Sequence, residues 1–196
     1  MFPAVATDLA LSPGAGALYD PYGRATASGR PRLALDGNRS TAWFAEVAGA
    51  TPAATSTTPT TAGTAPASTP PATTTAATTP APAQGTATDE DPVKPGQLGV
   101  GYTLDLGREH ILDTLTISTP APGFGVQIYA TDAASAPPDL LDSRWERLAT
   151  RPKVGATTRI RLDRAGFTYR TLLVWVTTPA PGSRRVQISE LKVRAR

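Results

Sequence analysis

The stretch Arg170-Thr171-Leu172-Leu173-Val174-Trp175-Val176-Thr177-Thr178 sets the architecture. Its middle, Leu172 to Val176, has no polar residue on either side of the strand period, so a strand here must be covered on both faces. It is expected at the centre of a sheet, ended by Pro179, Pro181 and Gly182. Upstream, the pattern becomes half-buried. Tyr102, Leu104 and Leu106 share one face of 101–106, Leu115 and Ile117 alternate within 113–119, and Val126, Ile128 and Ala130 alternate after a Pro/Gly turn. Further strands are predicted over 145–150, 157–163 and 186–193, with short turns at 31–34 and 140–143. About eight strands at close spacing, without crossover helices, predict an all-β fold: an antiparallel β-sandwich of jelly-roll type.

The sharpest compositional boundary lies earlier. Between positions 51 and 88 no residue is charged or aromatic, and none is Val, Ile, Leu, Phe or Met. Ordering such a segment would cost about 1 to 2 kcal/mol per residue in backbone entropy, with no apolar surface to offset it. Residues 49–92 are therefore expected to be a disordered Thr/Pro/Ala insertion within one domain spanning 1–196, because 9–48 are too few and too poor in strand runs to fold alone. Dense Thr with Pro is also the composition of an extracytoplasmic stalk.

The 196-residue chain has a net charge of +3, one histidine and no cysteine. Disulfides, thiol nucleophiles and zinc ribbons are excluded, and no Ser/His/Asp or Cys/His arrangement is recognisable. His110 beside Arg108 and Glu109 reads as an exposed residue. The chain is not expected to be an enzyme. Arginines are scattered or lie close to acids, and the group Arg184, Arg185, Lys192, Arg194 and Arg196 reads as a solvated strand edge, so no nucleic-acid partner is expected. No run approaches the roughly 20 apolar residues of a membrane span. Residues 1–10 read as neither a signal peptide nor an anchor.

One loop carries specific chemistry: Leu33-Ala34-Leu35-Asp36-Gly37-Asn38-Arg39-Ser40-Thr41-Ala42-Trp43. Asp36 and Asn38 favour turns, Gly37 accepts positive φ, and Ser40 and Thr41 add oxygens, so several hard ligands converge in a tight turn. Two outcomes are open. The loop closes through its own hydrogen bonds, or it holds a calcium ion. Trp43 and Trp175 read as core residues, with Trp145 at the start of a strand.

This loop resembles the D-G-N-x-x-T-x-W element of the discoidin superfamily, which includes the type C domains of coagulation factors five and eight and the family 32 carbohydrate-binding modules. Asp20-Pro21-Tyr22-Gly23, Tyr102-Thr103-Leu104-Asp105-Leu106-Gly107, Ile128-Tyr129-Ala130-Thr131 and Ile188-Ser189-Glu190-Leu191 follow the same order, so the resemblance covers all but 49–92. It implies a galactose-binding-like sandwich. The family's calcium ligands would match Asp36, Asn38, Thr41 and Glu190, and Tyr19, Tyr22, Phe44 and Phe124 would gather at the loop end where relatives bind their ligands. Lys94-Pro95-Gly96, Leu98-Gly99 and Leu172-Leu173-Val174-Trp175 further resemble the extracytoplasmic C-terminal domain of actinobacterial MviN-type or kinase-like membrane proteins. The function this implies is a non-catalytic module of the cell envelope with a cell-wall glycan or an envelope protein as partner, the alternative being a structural or protein-interaction domain.

Overall fold

A computed structural model describes residues 5–47, 98–162, 164 and 166–196. The predicted insertion at 49–92 lies outside these residues. Twelve strands run through the described chain: β1 (Thr7–Asp8), β2 (Gly16–Tyr19), β3 (Ala25–Ser28), β4 (Trp43–Val47), β5 (Val100–His110), β6 (Leu112–Ser118), β7 (Gly125–Thr131), β8 (Glu146–Arg151), β9 (Thr157–Arg161), β10 (Tyr169–Thr178), β11 (Arg185–Ile188) and β12 (Glu190–Ala195). They pair antiparallel in a five-stranded sheet ordered β2-β5-β10-β7-β8, a four-stranded sheet ordered β1-β12-β6-β9, and a three-stranded sheet ordered β11-β4-β3. A single-turn 3-10 segment, Pro31–Ala34, falls where a turn was expected.

β10 lies in the middle of its sheet, paired to β5 and β7, as its uninterrupted apolar run requires. Leu172, Val174 and Val176 face the main core, with Leu104, Leu115, Ile128 and Val193. Leu173 and Trp175 face the other way, into a second cluster with Tyr19 and Trp145. Close packing on that face requires a residue without a side chain beside them: a Cβ on Gly101 would lie 2.7 Å from Leu173 Cδ1.

Three expectations need correction. The predicted strand over 186–193 is two strands, because the chain changes sheet at Ser189, whose amide donates to the Ser118 carbonyl at 2.9 Å. The count of about eight strands misses β1 to β4 as well, since a stretch such as Ala25-Thr26-Ala27-Ser28 has no apolar alternation to reveal it. His110 is buried instead of exposed, because β5 runs on far enough to place it opposite Tyr169. Burial and the neighbouring Arg108 charge lower its pKa from the usual histidine value.

Candidate functional site

The loop after Pro31–Ala34 closes on itself. Asp36 Oδ1 accepts the Asn38 amide at 2.9 Å, its Oδ2 accepts the Thr41 hydroxyl at 2.7 Å, and Asn38 Oδ1 accepts the Ser40 amide at 3.0 Å. Gly37 at the tip has φ 72°, a conformation that costs glycine little. The hydroxyl and amide donors hold the Asp36 carboxyl below its ordinary pKa. Glu190, whose side chain is nearly buried, faces this loop through Arg39 Nε at 3.2 Å and also meets Lys192 Nζ at 3.2 Å.

The two carboxylates of the expected calcium set are engaged by groups of the chain itself. Both oxygens of Asp36 already accept donors of the loop, and both oxygens of Glu190 are engaged by cations. Among the described residues no group of three or more His, Asp or Glu is placed to hold a metal. Of the expected ligands, Asp36, Asn38 and Thr41 come together, and Glu190 reaches them only by way of Arg39.

The four predicted ligand-contacting aromatics are not brought together. Phe124 is fully buried in the main core, its carbonyl accepting the Val154 amide at 2.8 Å. Tyr19 is buried against Trp145 and Trp175, donates to the Pro137 carbonyl at 2.9 Å and accepts the Trp145 indole N–H at 3.3 Å. Tyr22 meets Trp175 edge-on and donates to Asp139 at 2.9 Å; burial and that carboxylate push its pKa up to about 12. These two tyrosines cover the outer face of β10 instead of facing solvent as a pair. Phe44 lies apart, under the Arg185 guanidinium at 4.2 Å from the ring centroid, with Arg185 fixed by Glu46.

A different aromatic is presented. Phe167 is 56% exposed, at the edge of a hollow of about 220 Å³ shared with Thr131, Asp132, Arg144, Glu146 and Thr168. Its polar groups are held in place. Glu146 accepts the Tyr169 hydroxyl at 2.6 Å and pairs with Arg164 at 3.2 Å, and Thr168 donates to Glu109 at 2.8 Å. Arg144 forks onto Asp142 at 2.7 and 3.0 Å, which lowers the Asp142 pKa to about 2. An exposed apolar ring among fixed donors and acceptors is the arrangement that binds a ring with an apolar face and a hydroxylated edge. Sequence reasoning missed it, because its residues come from three separated segments and none carries a local motif. The one available signal is Gly166, at φ 88°, in the turn just before Phe167.

No family model matches the sequence, and no curated protein matches it. Solved structures do. The family 32 carbohydrate-binding module of NanJ from Clostridium perfringens, solved with galactose, aligns with TM-score 0.53 at 12% identity, over 97% of this chain and 99% of that one. Chitosan-binding module 2 of a chitosanase/glucanase from Paenibacillus sp. IK-5, solved with chitotriose, aligns with TM-score 0.53 at 15% identity, over 94% and 98%. A family 89 glycoside hydrolase of Clostridium perfringens also aligns, with TM-score 0.51 at 12% identity, but the chain spans only 14% of that protein's length. The likeness shows the fold alone: an antiparallel β-sandwich like that of these family 32 carbohydrate-binding modules.

Proposed function

We propose that this chain is a non-catalytic carbohydrate-binding module of the cell envelope, the extracytoplasmic part of a larger membrane protein, and that it takes a cell-wall sugar in the hollow beside Phe167. The observation that carries this reading is the hollow itself. At about 220 Å³ it admits a single sugar ring, which would lay its C–H face on Phe167 and offer hydroxyls to Asp132, Arg144 and Thr168. Catalysis is disfavoured because Glu146, the best-placed carboxyl, has one oxygen engaged by Tyr169 and the other by Arg164. The sugars present in the matching modules support the ligand class. The Thr/Pro composition of 51–88 and the resemblance of Leu172 to Trp175 to envelope proteins support the location.

The rival reading, a structural or protein-interaction domain, is favoured by one observation: Tyr19 and Phe124, expected to face a ligand, are buried. A glycan array combined with pulldown on cell-wall material separates the two. Retention of a defined subset of glycans is expected. Uniformly flat binding removes the sugar reading and leaves the interaction domain.

A further inference from the structure

A second surface stands apart from the Phe167 hollow and owes nothing to it. On the four-stranded sheet, Arg194 of β12 is opposite Thr114 of β6, which is opposite Arg161 of β9; on the next rung Lys192, Thr116 and Arg159 repeat the pattern. Neighbouring strands are about 4.8 Å apart, so Arg194 and Arg161 flank Thr114 at about 10 Å, while Arg159 and Arg161 are about 7 Å apart along one strand. Arg151, the last residue of β8 in the other sheet, joins them. Together with Asp113 and Thr114, the four arginines line a hollow of about 370 Å³. Four arginines against Asp113 in the lining and Asp8 paired with Arg194 leave a surplus of two positive charges.

Three of the four cations are unspent. Arg151, Arg159 and Arg161 are exposed and make no side-chain hydrogen bond or ion pair among the described residues. Arg194 alone is tied, to Asp8 at 3.3 Å and to the Ala6 carbonyl at 2.7 Å, which fixes one guanidinium in place. Protection of an exposed edge would explain charge on β9, the last strand of its sheet, but not the convergence of Arg194 from two strands away and Arg151 from the opposite sheet.

We infer that this face binds an acidic polysaccharide, with the arginines taking successive carboxylates and the Asp113 and Thr114 pair taking hydroxyls. Guanidinium forks match carboxylates bidentately. Thr114 donates to Asp113 Oδ2 at 2.7 Å, leaving Oδ1 to accept from a sugar hydroxyl, a use that a phosphodiester chain or a headgroup surface has little of. No aromatic lines the hollow for base stacking and no apolar side chain lines it for insertion into a bilayer.

The test uses the full chain and four probes: polygalacturonate, a neutral glucan, double-stranded DNA and vesicles containing phosphatidylglycerol. Polygalacturonate is expected to bind at low salt and to weaken steeply as salt shortens the Debye length, to about 8 Å at physiological strength. Arg159→Glu with Arg161→Glu should weaken that binding by roughly a hundredfold, on the order of tenfold for each lost charge-assisted contact. The milder pair Arg159→Gln with Arg161→Gln should weaken it in the same direction, with an unchanged melting temperature confirming an intact fold. Unchanged polygalacturonate binding by a folded variant, equal binding of the neutral glucan, no binding of polygalacturonate at low salt, or tighter binding of DNA or vesicles would each overturn the assignment. Loss of sugar binding in Phe167→Ala with polygalacturonate binding intact is the expected sign that the two surfaces are separate.

Discussion

The Thr41 hydroxyl lies 2.7 Å from Asp36 Oδ2 and closes the D-G-N loop by a hydrogen bond between two of its own side chains. A chelator is therefore expected to leave the melting temperature unchanged, and added calcium to leave it unchanged as well, since an ion that bound only the folded chain would raise it by mass action. Asp36→Ala should lower the melting temperature, but by less than any large core truncation, because Asp36 is at the surface where water replaces the lost partner. The depressed Asp36 pKa gives the loop a pH signature. Its contribution is present above the unfolded carboxylate value and is lost as pH falls through the lower folded one. A calcium-dependent rise in the melt would contradict this account of the loop.

Trp43 at the end of that loop meets Tyr102 edge-on at 4.9 Å between centroids and is completely buried. Trp43→Ala should cost about 3 to 5 kcal/mol in denaturant melts. Trp43→Phe should cost distinctly less. The indole N–H is buried without a hydrogen-bond partner among the described residues, and phenylalanine removes that donor while keeping a ring beside Tyr102. Equal costs for the two variants would contradict the claim that the ring packed on Tyr102 carries the stability.

All five tyrosines have raised pKa values, and burial is the leading cause for each. A raised folded value means that stability is intact below the unfolded value of 10.0 and is lost as pH climbs towards the folded values, of which Tyr22 at about 12 is one. Phenolate absorbance should therefore lag behind that of free tyrosine and rise together with loss of the β-sheet circular dichroism signal. Phenolate forming near the ordinary value in a still-folded chain would contradict the packing described for Tyr19, Tyr102 and Tyr169.

The sandwich was legible where side-chain pattern alone decides structure. The run Leu172 to Val176 required cover on both faces and has it, and the alternation at Leu115 and Ile117 predicted which residues enter the core. Short strands of Ala, Thr and Ser, and the sheet change at Ser189, leave no such pattern, because tertiary pairing forms them. The loop chemistry of Asp36 to Thr41 was legible because it is local in sequence. The aromatic site was not. Which of Tyr19, Tyr22, Phe44, Phe124 and Phe167 faces solvent depends on contacts between segments over a hundred residues apart, as the bond from Tyr19 to Pro137 illustrates. The arginine face was hidden for the same reason, since its members come from β8, β9 and β12.

The most direct test of the central claim is a titration of galactose and chitotriose into the full chain, followed by amide NMR shifts, for the wild type and for Phe167→Ala. Phe167 is exposed and outside the core, so the variant should fold with an unchanged melting temperature. Saturable shifts confined to the segments that carry Asp132, Arg144 and Thr168 are expected in the wild type, and their disappearance is expected in Phe167→Ala. Saturable binding that survives Phe167→Ala, or that moves amides elsewhere on the sandwich, would contradict that claim.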